Sequence, residues 1–318
     1  MLSKCIDGKS PLERFAAVVG WSISTNRPAI FGVAPFNPIL GETHHVSRGS
    51  LNVMLEQVIQ LSSIKQLHCD IENVENSVLI LKINHKCYNG TLASIFLSHI
   101  CIGTSVEAVV YGKRKLKLSR YNENYVMNAP KLLIRFFPVP SADWVGNVTI
   151  RCKETGLEAE LCYKGPSLLG FRGNNKSIKG KIFESSTSKT LFEISGHWDR
   201  TVLIKDVTDG KTTIIHDAKK TITKLNAPLV KDPKGLCSNE SAVVWGEVSE
   251  AILRKDWEKA RGAKNAVEEK ERKLRREREG KGETWIPNHF TLFYTKEEGW
   301  DCTPKQTLVP PAPIVAPF

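Results

Sequence analysis

The sequence predicts a mainly β fold with added α-helices: an antiparallel sheet curved into an incomplete barrel, with one helical region before it and one after. Three observations predict it. Short apolar runs recur roughly every dozen residues through the middle of the chain, with no helical period between them. Charged and apolar residues alternate in LEAELCYK (157–164) and IKGKIFE (178–184), as strands do when one face is wet. The last third switches to charged stretches with 3- and 4-residue spacing.

The first helix is predicted from Ser10 to Thr25. Ser10 can cap it, Pro11 suits the first helical position, and Glu13 lies in the first turn. Leu12, Phe15, Ala16, Val19 and Ile23 make its apolar face, and Pro28 ends it. The stretch 34–58, APFNPILGETHHVSRGSLNVMLEQV, follows. Pro35 and Pro38 make its start a rigid extended segment, suited to the rim of a cavity. Gly41 allows a tight turn before Glu42 and Thr43. After a turn at Ser47–Ser50, Leu51–Val58 reads as a strand. Further strands are predicted at Ser77–Asn84, Val106–Tyr111, Lys115–Leu118, Lys131–Phe137, Asn147–Cys152, Leu157–Tyr163, Ile178–Phe183, Thr190–Ser195 and Thr201–Lys205. Turns are predicted at Asn89–Gly90, Gly173–Asn174 and Asp209–Gly210.

Ser241–Arg254 reads as one amphipathic helix with Val244, Val248 and Ile252 at 4-residue spacing. Asp256 can cap the next, Trp257–Glu279, with Gly280 and Gly282 ending it. From Arg254 to Lys281 stand twelve Lys/Arg against seven Asp/Glu, a local excess of five positive charges. Thr291–Tyr294 reads as one more strand, and the tail VPPAPIVAPF as an extended segment packed along the domain. Trp144, Trp198, Trp245 and Trp257 are assigned to the core.

The 318 residues carry a net charge of +11, which favours an anionic partner: nucleic acid, an acidic protein or an anionic membrane surface. Aromatic interleaving is missing from the charged helix, which argues against nucleic acid. Eight cysteines contain no Cys-x-x-Cys pair, so zinc and thioredoxin readings fail. No apolar signal core and no membrane-length apolar run is seen, so a cytosolic location with reduced thiols is expected. A nucleophile elbow, Walker loop, Rossmann fingerprint, HExxH and EF-hand loop are all lacking, so the expectation is a non-enzyme without cofactor or metal. His44 and His45 are adjacent on a strand and point to opposite faces, so they would not chelate together. Lys264, Glu268 and Arg272 share one helix face at i, i+4 and i+8. Periodicity favours an ordinary solvated face with i,i+4 pairs; the other reading is a phosphate-receiving pair held in register by Glu268.

The segments FNPILGET and EQV, GNVTIRC and LEAELCYKG, RGNNKSIKGKIFE with GHWDRTV, and ESAVVWGEVSEAILRKDWEKAR through GETWIPNHF resemble the lipid-binding domain of oxysterol-binding-protein-related proteins, plant type. The resemblance covers the chain except roughly 59–102. It implies one domain over 1–318: an N-terminal helical region (1–33), barrel strands around a hydrophobic tunnel (34–235, with 59–102 atypical) and a C-terminal helical part with its tail (236–318). It implies sterol or phospholipid cargo, phosphatidylinositol 4-phosphate as an exchange ligand, peripheral contact with anionic intracellular membranes, and a monomer. Asn37 matches the family asparagine near the lipid head group. Lys264, Glu268 and Arg272 match the family's head-group face, which reverses the preference drawn from periodicity.

Three departures shape the expectation. Ala34 stands where many members place a lysine. After EQV the family continues Ser-His-His-Pro-Pro, and its histidines contact the phosphate; here Ile59, Gln60, Leu61, Ser62 and Ser63 follow. The chain also begins close to the first helix after the family's lid, so the lid is expected to be missing. Weakened phosphoinositide exchange is therefore predicted. The alternative is a basic membrane-surface or protein-interaction scaffold that no longer transfers lipid.

Overall fold

The computed structural model describes residues 2–28, 37–49, 51–61, 76–85, 88–100, 105–111, 113–137, 140–165, 176–223, 226–295, 299–305 and 312–317. Two helices come first, α1 (Lys4–Asp7) and α2 (Pro11–Ser24). The strands β1 (Thr43–Arg48), β2 (Leu51–Leu61), β3 (Asn76–His85), β4 (Tyr88–Ile100), β5 (Ser105–Tyr111), β6 (Arg114–Leu118), β7 (Glu123–Met127) and β8 (Lys131–Arg135) follow. Next are β9 (Ser141–Cys152), β10 (Leu157–Lys164), β11 (Ser177–Glu184), β12 (Thr190–His197), β13 (Thr201–Asp206) and β14 (Thr212–Asp217). The C-terminal part holds α3 (Ala218–Ile222), β15 (Leu229–Val230), α4 (Ser241–Val244), α5 (Gly246–Leu253), α6 (Trp257–Lys281), β16 (Phe290–Thr295), β17 (Gly299–Pro304) and β18 (Ile314–Val315).

Among the described residues sixteen strands form one sheet whose path runs from β14 at one end to β15 at the other, without closing. Sequence neighbours pair antiparallel almost throughout, as the meander predicted. An exception is β18, which lies parallel to β1 with Val46 opposite Ile314, and antiparallel to β15. The β16–β17 hairpin stands apart as its own two-stranded sheet. The described residues within 59–102 join the main sheet: β2, β3 and β4 pair antiparallel in turn, with a register shift on β2 between Gln57 and Ile59.

Helix α2 fills the concavity formed by the β9–β14 half. Ser10 caps it by accepting the Glu13 N–H at 3.2 Å, as its sequence signal implied. Phe15, Val18, Val19 and Ile23 are fully buried against Ile150, Leu161, Ile178 and Val202. Each such side chain contributes about 1.5–3 kcal/mol on burial. Gly20 is needed where the helix crosses β14, because a Cβ there would lie 2.7 Å from the Ile215 carbonyl oxygen.

Two arginines tie α2 to the sheet. Arg14, on its first turn, meets Glu123 of β7 in a buried pair, with Nε 3.0 Å from Oε2 and Nη2 2.5 Å from Oε1. The Tyr125 hydroxyl donates to the same carboxylate at 2.7 Å. Arg114, on β6, donates to Thr25 Oγ1 and Ser22 Oγ at the C-terminal end of α2 and to the Asn128 carbonyl. A cation is favoured at a helix C-terminus. Burial nevertheless pulls its pKa below the ordinary arginine value. The Asn128 side chain bridges an interruption between β7 and β8 by bonding Asn147 O and Thr149 N of β9.

Several expectations change. The helix expected over Ser241–Arg254 is two helices, broken at Trp245, whose backbone turns to φ −103°, ψ 11°. Its indole N–H reaches across to Glu42, and that long-range bond sets the break. Asn89–Gly90 is not a turn. A ladder of nine residue pairs, Ser77–His85 against Phe96–Tyr88, keeps both residues inside β4, and this extended register outweighs one dipeptide's turn preference. β8 ends at Arg135, which leaves Phe136 and Phe137 exposed. Trp198 and Trp245 are buried as assigned, and Trp144 is half-buried, its indole N–H bonded to the Arg27 carbonyl. Trp257 is exposed: it opens α6, whose first buried residue is Ala260. The Gly173–Asn174 turn lies outside the described residues.

Candidate functional site

The rim segment 37–57 is welded to the C-terminal part by three buried carboxylates. Glu42 accepts the Ile39 N–H at 2.9 Å, the Ser241 hydroxyl at 2.5 Å and the Trp245 indole N–H at 3.0 Å. Glu56, on β2, is completely buried and accepts the backbone N–H groups of Asn288 and His289 at 2.6 and 2.9 Å. Glu240 bonds His44 Nδ1 at 2.8 Å and accepts the His45 N–H at 3.1 Å. His44 is half-buried and His45 buried, the alternation their strand position required, and the His44 ring is committed to a hydrogen bond with Glu240. Each carboxylate is satisfied by N–H or O–H donors, the condition under which burying it is tolerable.

Gly41 makes the closest approach. It adopts φ +80°, and a Cβ on it would lie 2.6 Å from Trp285 Cζ2. Gly41→Ala should cost about 1–3 kcal/mol from strain and overpacking. Thermal unfolding should show a Tm lower by about 2–8 °C. Gly280→Ala, where an added carbon meets nothing within 4 Å, is the matched control and should be neutral or slightly stabilising. An unchanged Tm for Gly41→Ala would show that the close approach to Trp285 does not constrain the fold.

These bonds position α6. Its leading side follows α5, whose partner helix α4 and Trp245 are bonded to Glu42; its trailing side runs into Trp285, Asn288 and His289, held by Gly41 and Glu56. Asp256 caps the helix by accepting the Lys259 N–H, and Gly282 closes it in the left-handed conformation at φ +66°. Gly280 lies inside the helix rather than ending it.

On α6, Lys264, Glu268 and Arg272 form one connected set. Lys264 Nζ is 3.4 Å from Glu268 Oε1, and Arg272 Nη2 is 3.3 Å from Oε2; Arg272 also reaches Glu269 at 3.2 Å. All are partly exposed, so these pairs add little stability. Such a face can exchange one carboxylate partner for an incoming phosphate at small cost. Asn37 is exposed on the rim, and among the described residues no hydrogen bond or ion pair joins it to the set. Ala34 lies outside the described residues. Gln60 and Leu61 end β2.

A groove of about 1040 Å³ lies elsewhere, on the wet face of β9–β14, lined by Glu160, Cys162, Lys179, Lys181, Glu193 and Lys205 among others. Neither the rim nor α6 contributes to it.

A family model described as oxysterol-binding protein matches residues 1–308. The chain belongs to the oxysterol-binding protein family. The match spans 59–102, the stretch that looked atypical in sequence. Oxysterol-binding protein-related protein 4C of Arabidopsis thaliana is 47% identical over 320 residues, covering 100% of this chain and 81% of the relative. The related protein 4A of the same plant is 45% identical over 317 residues, covering 99% and 78%. Oxysterol-binding protein 10 of Dictyostelium discoideum is 30% identical over 290 residues, covering 87% and 68%. The oxysterol-binding fold is matched by the Osh1 ORD domain solved with cholesterol, at TM-score 0.75 and 18% identity, covering 96% of this chain and 76% of that one. The Osh3 ORD from Saccharomyces cerevisiae, solved with PI(4)P, aligns at TM-score 0.62 and 18% identity, covering 94% and 77%.

Sequence reasoning placed Lys264, Glu268 and Arg272 on one face of α6, where the structure links them, but missed the carboxylate anchors. Glu42 and Glu56 stand inside the motifs FNPILGET and EQV, yet their partners lie about 200 residues away and leave no local pattern. The one available signal was an acidic residue within the apolar-rich run Val53–Val58, where Glu56 follows Val53, Met54 and Leu55.

Proposed function

We propose that this chain acts as one lipid-binding and lipid-transfer domain, carrying a sterol or a phospholipid in the space enclosed by its curved sheet, with weakened exchange of phosphatidylinositol 4-phosphate. Membership of the oxysterol-binding protein family carries the reading. The cholesterol-bound Osh1 and PI(4)P-bound Osh3 domains supply the cargo classes. The physical basis is general: an aliphatic lipid leaves a bilayer only for an apolar enclosure, while its phosphate needs cations and donors at the mouth. Asn37, Lys264, Glu268 and Arg272 are assigned to that mouth. The domain works as a cytosolic monomer without catalytic chemistry and touches anionic membranes peripherally. Among the described residues no helix is long and apolar enough to cross a membrane.

Exchange is weakened because Gln60 and Leu61 stand where family members place two cationic or donor-rich histidines, and Ala34 where many place lysine. The test is extraction of phosphatidylinositol 4-phosphate from liposomes by this chain and by the double variant Gln60→His/Leu61→His. The variant should extract roughly tenfold more, the value of one added charge-assisted hydrogen bond. Equal and robust extraction by both proteins would sink the weakened-site reading. Binding to anionic vesicles that vanishes in moderate salt, with no lipid carried into solution, would favour the scaffold alternative.

A further inference from the structure

Between α5 and α6 the chain turns on Lys255 at φ +59°, a left-handed value unusual for a residue other than glycine. The elbow sends two large apolar side chains into water: Leu253 is 84% exposed and Trp257 61%. Ile252 is partly exposed beside them, while Val248 and Ala251 bury the opposite face of α5. Around the pair stand Arg254, Lys255, Lys259 and Arg261, with Glu250, Asp256 and Glu258 as the nearby acids. Two of those acids are engaged: Glu250 holds Arg254, and Asp256 caps α6. Lys255, Lys259 and Arg261 have no carboxylate partner among the described residues.

Helix geometry connects this elbow to the triad. Trp257, Arg261, Lys264 and Glu268 follow one another at 4, 3 and 4 residues, which lines them along one stripe of α6. Trp257 precedes Lys264 by about 10 Å along the axis. A surface that receives the indole would therefore present its polar groups to Arg261 and then to Lys264.

The chemistry of the tip selects a bilayer. Two apolar side chains offer far too little area for a stable protein interface, which needs more than roughly 1,000 Å². A membrane supplies unlimited area to a small tip, and tryptophan prefers the boundary between head groups and acyl chains. Uncommitted cations beside it match anionic head groups. We infer that the α5–α6 elbow is a membrane-docking tip: Leu253 and Trp257 enter the interface, and Lys255 and Arg261 hold anionic head groups. This rests on the lipid-transfer reading and adds where the domain meets its membrane.

The test uses the full chain and vesicles of phosphatidylcholine alone or mixed with phosphatidylserine, read by co-sedimentation. Leu253→Ser/Trp257→Ser should weaken partition onto the mixed vesicles roughly tenfold or more, and Lys255→Glu/Arg261→Glu should abolish the preference for mixed over neutral vesicles. Phe136→Ser/Phe137→Ser, which removes a comparable exposed pair elsewhere, should bind as the parent does. Equal partition by the parent and the elbow variant, equal losses in both apolar variants, or no sedimentation of the parent would overturn the proposal. Lipid retained by the purified proteins, measured by native mass spectrometry, is a separate readout. A parent that carries none strikes the transfer reading, whereas elbow variants should retain as much as the parent.

Discussion

Glu123→Ala should destabilise the fold by about 3–5 kcal/mol, more than any surface change in this chain, because it strands a buried charge. Arg14 keeps only the Gly8 carbonyl and its stacking on Tyr121, 3.8 Å from the ring centroid. The Tyr125 hydroxyl loses its acceptor at the same time. In the parent chain, burial first and the bond to Glu123 second raise that hydroxyl above the ordinary tyrosine pKa, and the burial remains to oppose its ionisation when Glu123 is gone. The pair also joins α2 to β7, so its loss loosens the element that fills the sheet. Urea unfolding should show the drop. Replacing both partners, Arg14→Met/Glu123→Leu, should recover most of the loss, since an apolar pair of similar volume leaves no uncompensated charge. If the double replacement is as unstable as Glu123→Ala, the penalty lies in packing rather than charge.

The second large effect concerns ligand. Lys264→Ala/Arg272→Ala should lower phosphatidylinositol 4-phosphate extraction by about a hundredfold, taking each charge-assisted bond at about 1.5 kcal/mol. Stability should move by less than about 1 kcal/mol, because the three side chains are partly exposed and their mutual pairs are weak. Sterol uptake measured in the same liposomes should stay near the parent value. A matched fall in both lipids would assign the two cations to general membrane attraction instead of the head group.

Much of the fold was legible where local chemistry and global packing agree. Ser10, Pro11 and Asp256 marked helix starts because capping is settled within four residues. β10 and β11 alternate because one face meets α2 and the other meets water. β7 (ENYVM) and β14 (TTIIHD) escaped notice: the first opens on two polar residues, and the second keeps its exposed face threonine-rich. The break at Trp245 and the exposure of Trp257 were both invisible, since each depends on what lies opposite in space. The shared face of Lys264, Glu268 and Arg272 was readable from helical spacing, whereas Glu42, Glu56 and Glu240 act across 195 to 233 residues.

The parallel pairing of β18 with β1 bears on how this protein is made. Val46 and Ser47 lie on one side of Ile314 and Val315, and Leu229 and Val230 on the other. The strand that covers the outer edge of β1 thus leaves the ribosome after every other described strand. Until then the Val46–Ser47 part of β1 presents unpaired backbone donors and acceptors, the kind of edge that recruits foreign strands. Such a nascent chain cannot finish its sheet progressively from the N-terminus, and long-range closure of this kind is slow. The edge at Val46 and Ser47 thus waits on two late residues, Ile314 and Val315, while Thr43 and His45 are already bonded by Asn239 and Glu240.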